Sequence, residues 1–316
     1  MKIVFFGTSD VGLPVLNALK EKHEVVLVVT SPDAPVGRKQ VLTPSPISVY
    51  AEENNLKLEK PPSVKNNPEF LELLRGYDAD IFIVVSYGKI LPQELLDVPP
   101  LKTLNVHFSL LPKYRGAAPI QYALLNGEAK TGTTIFVLDA LVDHGPILAQ
   151  AEFNIDPDDT FDSLASELSY ISAEMLTSIL PDYESGKLQP QEQNHDEATL
   201  AKIIKKEDGK VDWSKPAEQV YNMWRAYSAW PGIFSGWNGK QIKILECLLL
   251  APDQVPKLEI LAKPVGTVSI EEGLVFVTCG KSSILLLLQV QLEGKNPTSV
   301  QDFVRGYKDF EGSVLS

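Results

Sequence analysis

Met1-Lys2-Ile3-Val4-Phe5-Phe6-Gly7-Thr8-Ser9-Asp10-Val11-Gly12 sets an apolar run against a glycine turn. A short run of Val, Ile and Phe that stops at glycine reads as a buried strand. Beyond it, in Gly12–Lys22, Leu13, Leu16 and Leu19 recur at helical spacing. Pro14 then falls in the first helical turn, where a missing N–H is no loss. Glu24–Thr30, Asp80–Ser86 and Leu104–Phe108 repeat the apolar run. Strand, helix and strand in alternation predict an α/β domain with a Rossmann-like, doubly wound, mostly parallel sheet covered on both faces. Thr133–Leu138 and Ile147–Ile155 have eight residues between them. That is too few for a crossover helix, so they should extend the sheet as an antiparallel pair. Asp159–Leu180 reads as a long helix that closes a first domain over residues 1–180.

From Pro181 to Ala198 the sequence is polar and holds two prolines, which suggests a linker, taken as 181–206. The pattern then changes. Pro216–Tyr227 reads as a helix, followed by short runs at Gly232–Trp237, Gln241–Leu250, Gly266–Ile270, Leu274–Cys279 and Ile284–Leu292, with Ser299–Tyr307 as a last helix. Short strands separated by glycine turns, Asn238-Gly239 among them, predict a smaller antiparallel β-barrel of OB type over 207–316.

Composition narrows the function classes. Of 316 residues, 44% are hydrophobic and 22% charged, which excludes an overall disordered chain. The longest aliphatic run, Ile284–Leu288, is far short of the roughly 20 residues that cross a bilayer. The opening run is too brief for the apolar region of a signal peptide. Cys247 and Cys279 are too few and too far apart for a disulfide framework or a metal knuckle. His23, His107, His144 and His195 form no His-x-x-x-His pair, which argues against a zinc hydrolase. A cytoplasmic, metal-free, two-domain enzyme with no membrane contact is the expectation. The net charge of −12 is unevenly spread: residues 1–200 hold 15 Lys+Arg against 28 Asp+Glu, and residues 201–316 hold 14 against 13. Lys202, Lys205, Lys206 and Lys210 open the second part. Such asymmetry permits a local polyanion contact, although a solvated surface run has the same composition.

Gly7-Thr8-Ser9-Asp10-Val11-Gly12 fails the G-x-G-x-x-G spacing, because Ser9 replaces the glycine that lets a pyrophosphate approach the backbone. A nicotinamide oxidoreductase is therefore disfavoured. Asn105-Val106-His107-Phe108-Ser109-Leu110-Leu111-Pro112 carries more information. Residues 105 and 107 point to the same side of a strand. An amide and an imidazole would then meet at the carboxyl end of a parallel strand, where open α/β sheets place their ligands. Taken alone, Asn-x-His is ordinary strand sequence. A carboxylate that orients the imidazole would change that, and Asp139 and Asp143 are the candidates near a strand end. Both are also ordinary turn caps, and His144 reads as an exposed turn residue.

Asn105-Val106-His107, Ser109 through Gln121 (Ser-Leu-Leu-Pro-Lys-Tyr-Arg-Gly-Ala-Ala-Pro-Ile-Gln) and Val142-Asp143-His144-Gly145 resemble the methionyl-tRNA formyltransferases. Pro32 through Arg38, Pro44-Ser45-Pro46, Ser86 through Pro92, Trp230-Pro231-Gly232 and Thr298 through Phe303 extend the resemblance over the whole chain. It implies transfer of a formyl group from 10-formyltetrahydrofolate to the α-amine of methionyl initiator tRNA, without a metal. It also implies Asn105, His107 and Asp143 as the catalytic residues. Folate contacts would come from Ser109, Leu110, Leu111 and Pro112 and from the backbone around Gly88, Lys89, Ile90 and Leu91. Apolar leucines beside free backbone groups suit a flat pterin. The loop Ser31–Pro44 would reach the tRNA acceptor end with Arg38 and Lys39, and Lys202, Lys205, Lys206 and Lys210 would contact tRNA between the domains. Within the resemblance, this loop is less basic and holds fewer glycines than is common. A formyltransferase acting on a small amine would need no basic surface in the second domain. A non-catalytic RNA-binding protein would not need Asn105, His107 and Asp143 intact.

Overall fold

The computed structural model describes residues 1–37, 40–250 and 261–316. Two compact units emerge, one of residues 1–120, 129–155 and 163–202, the other of residues 121–128, 156–162 and 203–316. The first begins with β1 (Lys2–Gly7), α1 (Leu13–Lys22), β2 (Glu24–Val29) and a hairpin of β3 (Ala34–Val36) and β4 (Val41–Thr43). It continues through α2 (Pro46–Glu53), β5 (Leu58–Glu59), α3 (Pro68–Gly76), β6 (Ile81–Val85), α4 (Gln93–Leu96) and β7 (Thr103–His107). The chain then runs through β8 (Arg115–Gly116), α5 (Pro119–Leu125), β9 (Lys130–Val137), β10 (Ile147–Asn154), α6 (Phe161–Glu184) and β11 (Leu200–Ala201).

Seven strands order as β10-β9-β7-β6-β1-β2-β5. β7, β6, β1, β2 and β5 are mutually parallel, and β9 and β10 are antiparallel additions, as the short spacing between their apolar runs requires. Ile3, Val4, Phe5 and Phe6 are all fully buried. Consecutive burial means that both faces of the sheet are covered, which explains why β1 does not alternate with polar residues. On one face Val4, Phe6, Leu27, Val29, Phe82 and Val84 pack with Phe70, Leu74 and Leu95. Helix starts follow local chemistry: Ser45 Oγ accepts from Ser48 N ahead of α2, and Asn67 Oδ1 accepts from Phe70 N ahead of α3, each with proline in the first turn.

α6 does not stop at Leu180 but continues through Pro181 to Glu184. Its last turn is held by Tyr183 Oη, which donates to Leu101 O at 2.9 Å. The stretch expected to be a linker is stitched to the first unit as far as Lys202. Gln191 and Ile147 exchange both backbone bonds, at 2.8 and 2.7 Å, and β11 pairs in parallel with β8. A polar composition hides this strap because it is held by hydrogen bonds more than by apolar burial.

The second unit carries α7 (Ala217–Ala226), β12 (Ile233–Trp237), β13 (Lys240–Leu249), β14 (Val268–Glu271), β15 (Leu274–Cys279), β16 (Ser283–Leu292), β17 (Thr298–Ser299) and α8 (Val300–Gly306). The antiparallel sheet runs β12-β13-β16-β15-β14, with β17 on β16. Residues 312–316 join its two edges. Gly236 exchanges bonds with Ser316 at 2.6 and 3.0 Å, Leu315 N donates to Gly266 O, and Val268 bonds both Gly312 and Ser313. The strands thus wrap into a barrel-like unit whose exposed edges are satisfied. Trp237 packs edge-on against Phe303, Tyr307 and Phe310. Cys247 and Cys279 are free and buried, and burial pushes the Cys279 thiol up to about 12.

Candidate active site

Adjacent parallel strands β1, β6 and β7 end together, with Gly7 paired to Val85 and Val85 to Val106. This sets the Ser86–Leu91 loop beside the turn that follows His107. Thr8 Oγ1 donates to Tyr87 O at 2.9 Å and ties the first loop to the end of β1. Carboxyl ends of neighbouring parallel strands form the crevice in which open α/β sheets bind ligands.

Asn105 lies opposite Phe136 of β9, and His107 opposite Thr134, so both side chains share one face of β7. His107 is buried, with Phe136 edge-on to its ring at 6.5 Å. His107 Nε2 donates to the carbonyl of Tyr114 at 2.8 Å. A carbonyl only accepts, so Nε2 carries the proton, and Nδ1 is the atom left to gain one. Nδ1 faces Asp143 Oδ2 at 3.6 Å, the two side chains being 6% and 13% exposed. Asp143 Oδ2 also accepts from Gly116 N at 2.7 Å. Asp143 stands at φ +47°, a left-handed conformation that few non-glycine residues adopt. Two residues on, a Cβ at Gly145 would lie 1.9 Å from Val137 O, so only glycine fits. Of the two candidate carboxylates, Asp143 reaches His107. Asp139 instead pairs with His144 Nδ1 at 2.7 Å. Asn105 is partly exposed and makes no side-chain hydrogen bond among the described residues. The site therefore has one uncommitted amide donor and an imidazole poised beside a carboxylate.

The two segments expected to hold folate differ in what they offer. In Ser109–Pro112 the carbonyls of Ser109, Leu110 and Leu111 and the N–H of Leu111 are occupied within the protein, while the N–H groups of Ser109 and Leu110 make no hydrogen bond among the described residues. Thr134 Oγ1 donates to Ser109 O, Leu111 N donates to Thr134 Oγ1, Gln150 Nε2 donates to Leu111 O, and Lys113 N donates to Leu110 O. Ser109 Oγ donates to Lys113 O. Leu111 is buried, while Leu110 and Pro112 are half-buried. The backbone of Gly88, Lys89, Ile90 and Leu91, by contrast, makes no hydrogen bond among the described residues. Ile90 there is 78% exposed, with Leu91 buried beneath it. Lys89 is a staple: its Nζ donates to Pro61 O and Pro62 O, and burial lowers its pKa. Free donors and acceptors beside an exposed isoleucine suit a flat heteroaromatic ring, and the turn after His107 adds two free N–H donors.

Around this core lie groups without a sequence signature. The Tyr114 carbonyl that fixes His107 is a backbone atom, and Gln193 and His195 fall in the polar tract read as linker. Arg115, buried, donates to Gln193 and His195, and the His195 ring stacks on His144 at 4.1 Å. The His144 turn is thus built in, not merely exposed. Lys202, Lys205, Lys206 and Lys210 are all exposed, but Glu207 and Asp208 interleave with them, and Asp208 Oδ2 accepts from Lys205 N at 2.7 Å. Arg38 and Lys39 lie outside the described residues.

Among the described residues no cluster of His, Cys, Asp and Glu could hold a metal, and no helix is long and apolar enough to cross a membrane. The formyl transferase family profile matches residues 1–180, and its carboxyl-terminal domain matches residues 203–308. A methionyl-tRNA formyltransferase of Koribacter versatilis is 43% identical over 98% of this chain and 96% of its own. One of Caldicellulosiruptor saccharolyticus is 40% identical over the full length of both. An N-formyltransferase of Helicobacter canadensis, solved with folinic acid and dTDP-3-aminofucose, superposes with a TM-score of 0.66 at 19% identity over 91% of this chain and 98% of its own. HypX of Aquifex aeolicus, solved with tetrahydrofolic acid, has a TM-score of 0.65 at 18% identity over 96% of this chain and 47% of its own. At that identity the two structures speak to the fold alone.

Proposed function

The chain belongs to the methionyl-tRNA formyltransferase family, and from that premise we propose that it transfers the formyl group of 10-formyltetrahydrofolate to the α-amine of methionyl initiator tRNA. The observation that carries the reading is Asn105 uncommitted on the same strand face as His107, with Asp143 3.6 Å from His107 Nδ1. Bound folate supplies the formyl carbon and a nitrogen leaving group. Asn105 Nδ2 donates to the carbonyl oxygen as that oxygen gains charge. His107 cannot be a second donor there while Nε2 is held by Tyr114, so its part is the proton. Nδ1 takes it from the attacking amine, and Asp143 stabilises the imidazolium that results. The same proton can pass to the departing nitrogen, so no metal is needed.

Gly88, Lys89, Ile90 and Leu91 would present backbone groups to the pterin, while Ser109, Leu110, Leu111 and Pro112 shape the adjoining wall. Arg38 and Lys39 would meet the acceptor end of the tRNA, and Lys202, Lys205, Lys206 and Lys210 its phosphates. This reading places the protein in the cytoplasm, acting as a monomer. The test is formyl transfer from 10-formyltetrahydrofolate to charged initiator tRNA, with free methionine and glycinamide ribonucleotide as competing acceptors. Preferential labelling of the tRNA is expected. Preference for either small amine would overturn the acceptor.

A further inference from the structure

Gln193 lies in the strap between α6 and β11 and is 6% exposed. Its amide has no idle group. Oε1 accepts from Arg115 Nε at 3.1 Å and from Arg115 Nη2 at 2.6 Å. Nε2 donates to the carbonyls of Asp143 at 3.0 Å and Gly145 at 2.7 Å. A guanidinium only donates and a carbonyl only accepts, so one orientation of the amide satisfies all four bonds. Arg115 is in turn fixed by His195 Nδ1 at 2.8 Å, and its neighbour Gly116 donates to Asp143 Oδ2. Both ends of Asp143 are therefore tied to one short segment, the carboxylate directly and the backbone carbonyl through Gln193. The residue before that segment, Tyr114, holds His107.

We propose that Gln193 is a positioning residue for Asp143, holding the turn that sets the carboxylate 3.6 Å from His107 Nδ1. This rests on the reading of Asp143 as the partner of His107. The turn needs such a tie. Asp143 is held at φ +47°, a left-handed conformation that non-glycine residues seldom adopt. Leu141 and Val142 beside it are 60% and 58% exposed and give it little apolar anchorage. Two N–H bonds from Gln193 Nε2, to the carbonyls of Asp143 and Gly145, oppose its relaxation alongside the bond from Gly116 N.

Gln193→Glu separates the two halves of the amide. It keeps an acceptor for Arg115 but turns an oxygen toward the carbonyls of Asp143 and Gly145. Gln193→Met, of similar length and without polar atoms, serves as the second variant should the carboxylate disturb folding. Steady-state kinetics with both substrates should show kcat lowered ~100-fold, the loss expected when a catalytic group moves by about 1 Å. KM for tRNA and for folate should change less than ~3-fold, because the binding segments are elsewhere. On an Asp143→Asn background the same substitution should cost less than ~3-fold, since residues acting through one another are not additive. The amide proton of Gly116, observed by NMR, should move upfield in Gln193→Glu as its bond to Asp143 weakens. Losses that multiply across the two positions, or a Gly116 resonance that stays in place, would overturn the proposal. If the wild-type chain transfers no formyl group, the reading of its activity fails separately, and the Gly116 resonance still decides the part played by Gln193.

Discussion

Asn105 and His107 share a strand face but not a kind of commitment, and their substitutions should differ accordingly. Removing one preorganised oxyanion donor costs ~3 kcal/mol, so Asn105→Ala should lower kcat by roughly 10² to 10³ while KM for folate stays close to wild type. His107→Ala should lower turnover by orders of magnitude with the fold intact. Turnover within about threefold of wild type, as measured by single-turnover formylation, would remove either residue from the mechanism. Asp143→Asn keeps shape and loses charge, so the imidazolium loses its stabilising partner. A large fall in kcat with an altered pH–rate profile is expected. An unaltered profile would leave Asp143 as a turn residue held by Gly116. His23 offers a pH test of stability at a distance from the chemistry. Desolvation holds its imidazole below the ordinary 6.5, and its Nε2 is buried without a partner. The fold favours the neutral ring, so its contribution is intact above 6.5 and is lost as pH falls through the folded value, because the unfolded chain then binds the proton more readily. His23→Gln should therefore flatten the decline in Tm between about pH 7 and pH 5, read by calorimetry.

The elements that carry an apolar signal are the ones the sequence discloses. β1, β2 and β6 are made largely of Val, Ile, Leu and Phe, and in β1 and β6 burial on both faces is the physical reason the pattern is continuous instead of alternating. β9 begins at Lys130, ahead of its apolar run, because Thr131 and Gly132 belong to the strand only through the ladder with Phe153 and Glu152. That Asn105 and His107 share a strand face was legible from the two-residue period, whereas the role expected of them came from the resemblance. The choice of Asp143 over Asp139 depended on the resemblance and then on a left-handed turn that no local propensity announces. The strap from 185 to 202 and the bridging segment 312–316 were illegible for a shared reason: hydrogen bonds to distant backbone groups have no periodicity. The second of these yields a prediction. A Cβ at Gly266 would meet Leu315 O at 2.5 Å, and its φ of +81° already disfavours any side chain. Gly266→Ala should displace residues 312–316 from β14 and destabilise the second unit by roughly 1–3 kcal/mol, the usual range for overpacking. Hydrogen exchange should show lost protection at Leu315 and Ser316. Unchanged protection there would mean that the barrel edge is held by other contacts.

At the scale of the whole molecule, the question is how a chain of net charge −12 engages a polyanion. Residues 1–200 carry most of the acidity, so a folded RNA is repelled over much of the catalytic unit and must be held by local basic groups. Lys202, Lys205, Lys206 and Lys210 are exposed and free to meet phosphates, but Glu207 and Asp208 lie among them and lower the local potential. Each phosphate contact releases counterions, and losing one lowers the slope of log affinity against log salt by about 1. With acids interleaved, changing all four lysines to alanine should flatten that slope by roughly 2, less than the full value of about 4 that four independent contacts would give. Folate affinity should not change, since none of the four lies in the Gly88–Leu91 or Ser109–Pro112 segments. Arg38→Ala should act differently, lowering kcat/KM for charged tRNA with a smaller effect on tRNA affinity, because a contact at the acceptor end aligns the amine instead of supplying most of the binding energy. The measurement is tRNA affinity at two salt concentrations for wild type, the four-lysine variant and Arg38→Ala. Equal slopes for wild type and the four-lysine variant would take those lysines out of the interface, and a wild-type affinity indifferent to salt would favour a small amine as the acceptor.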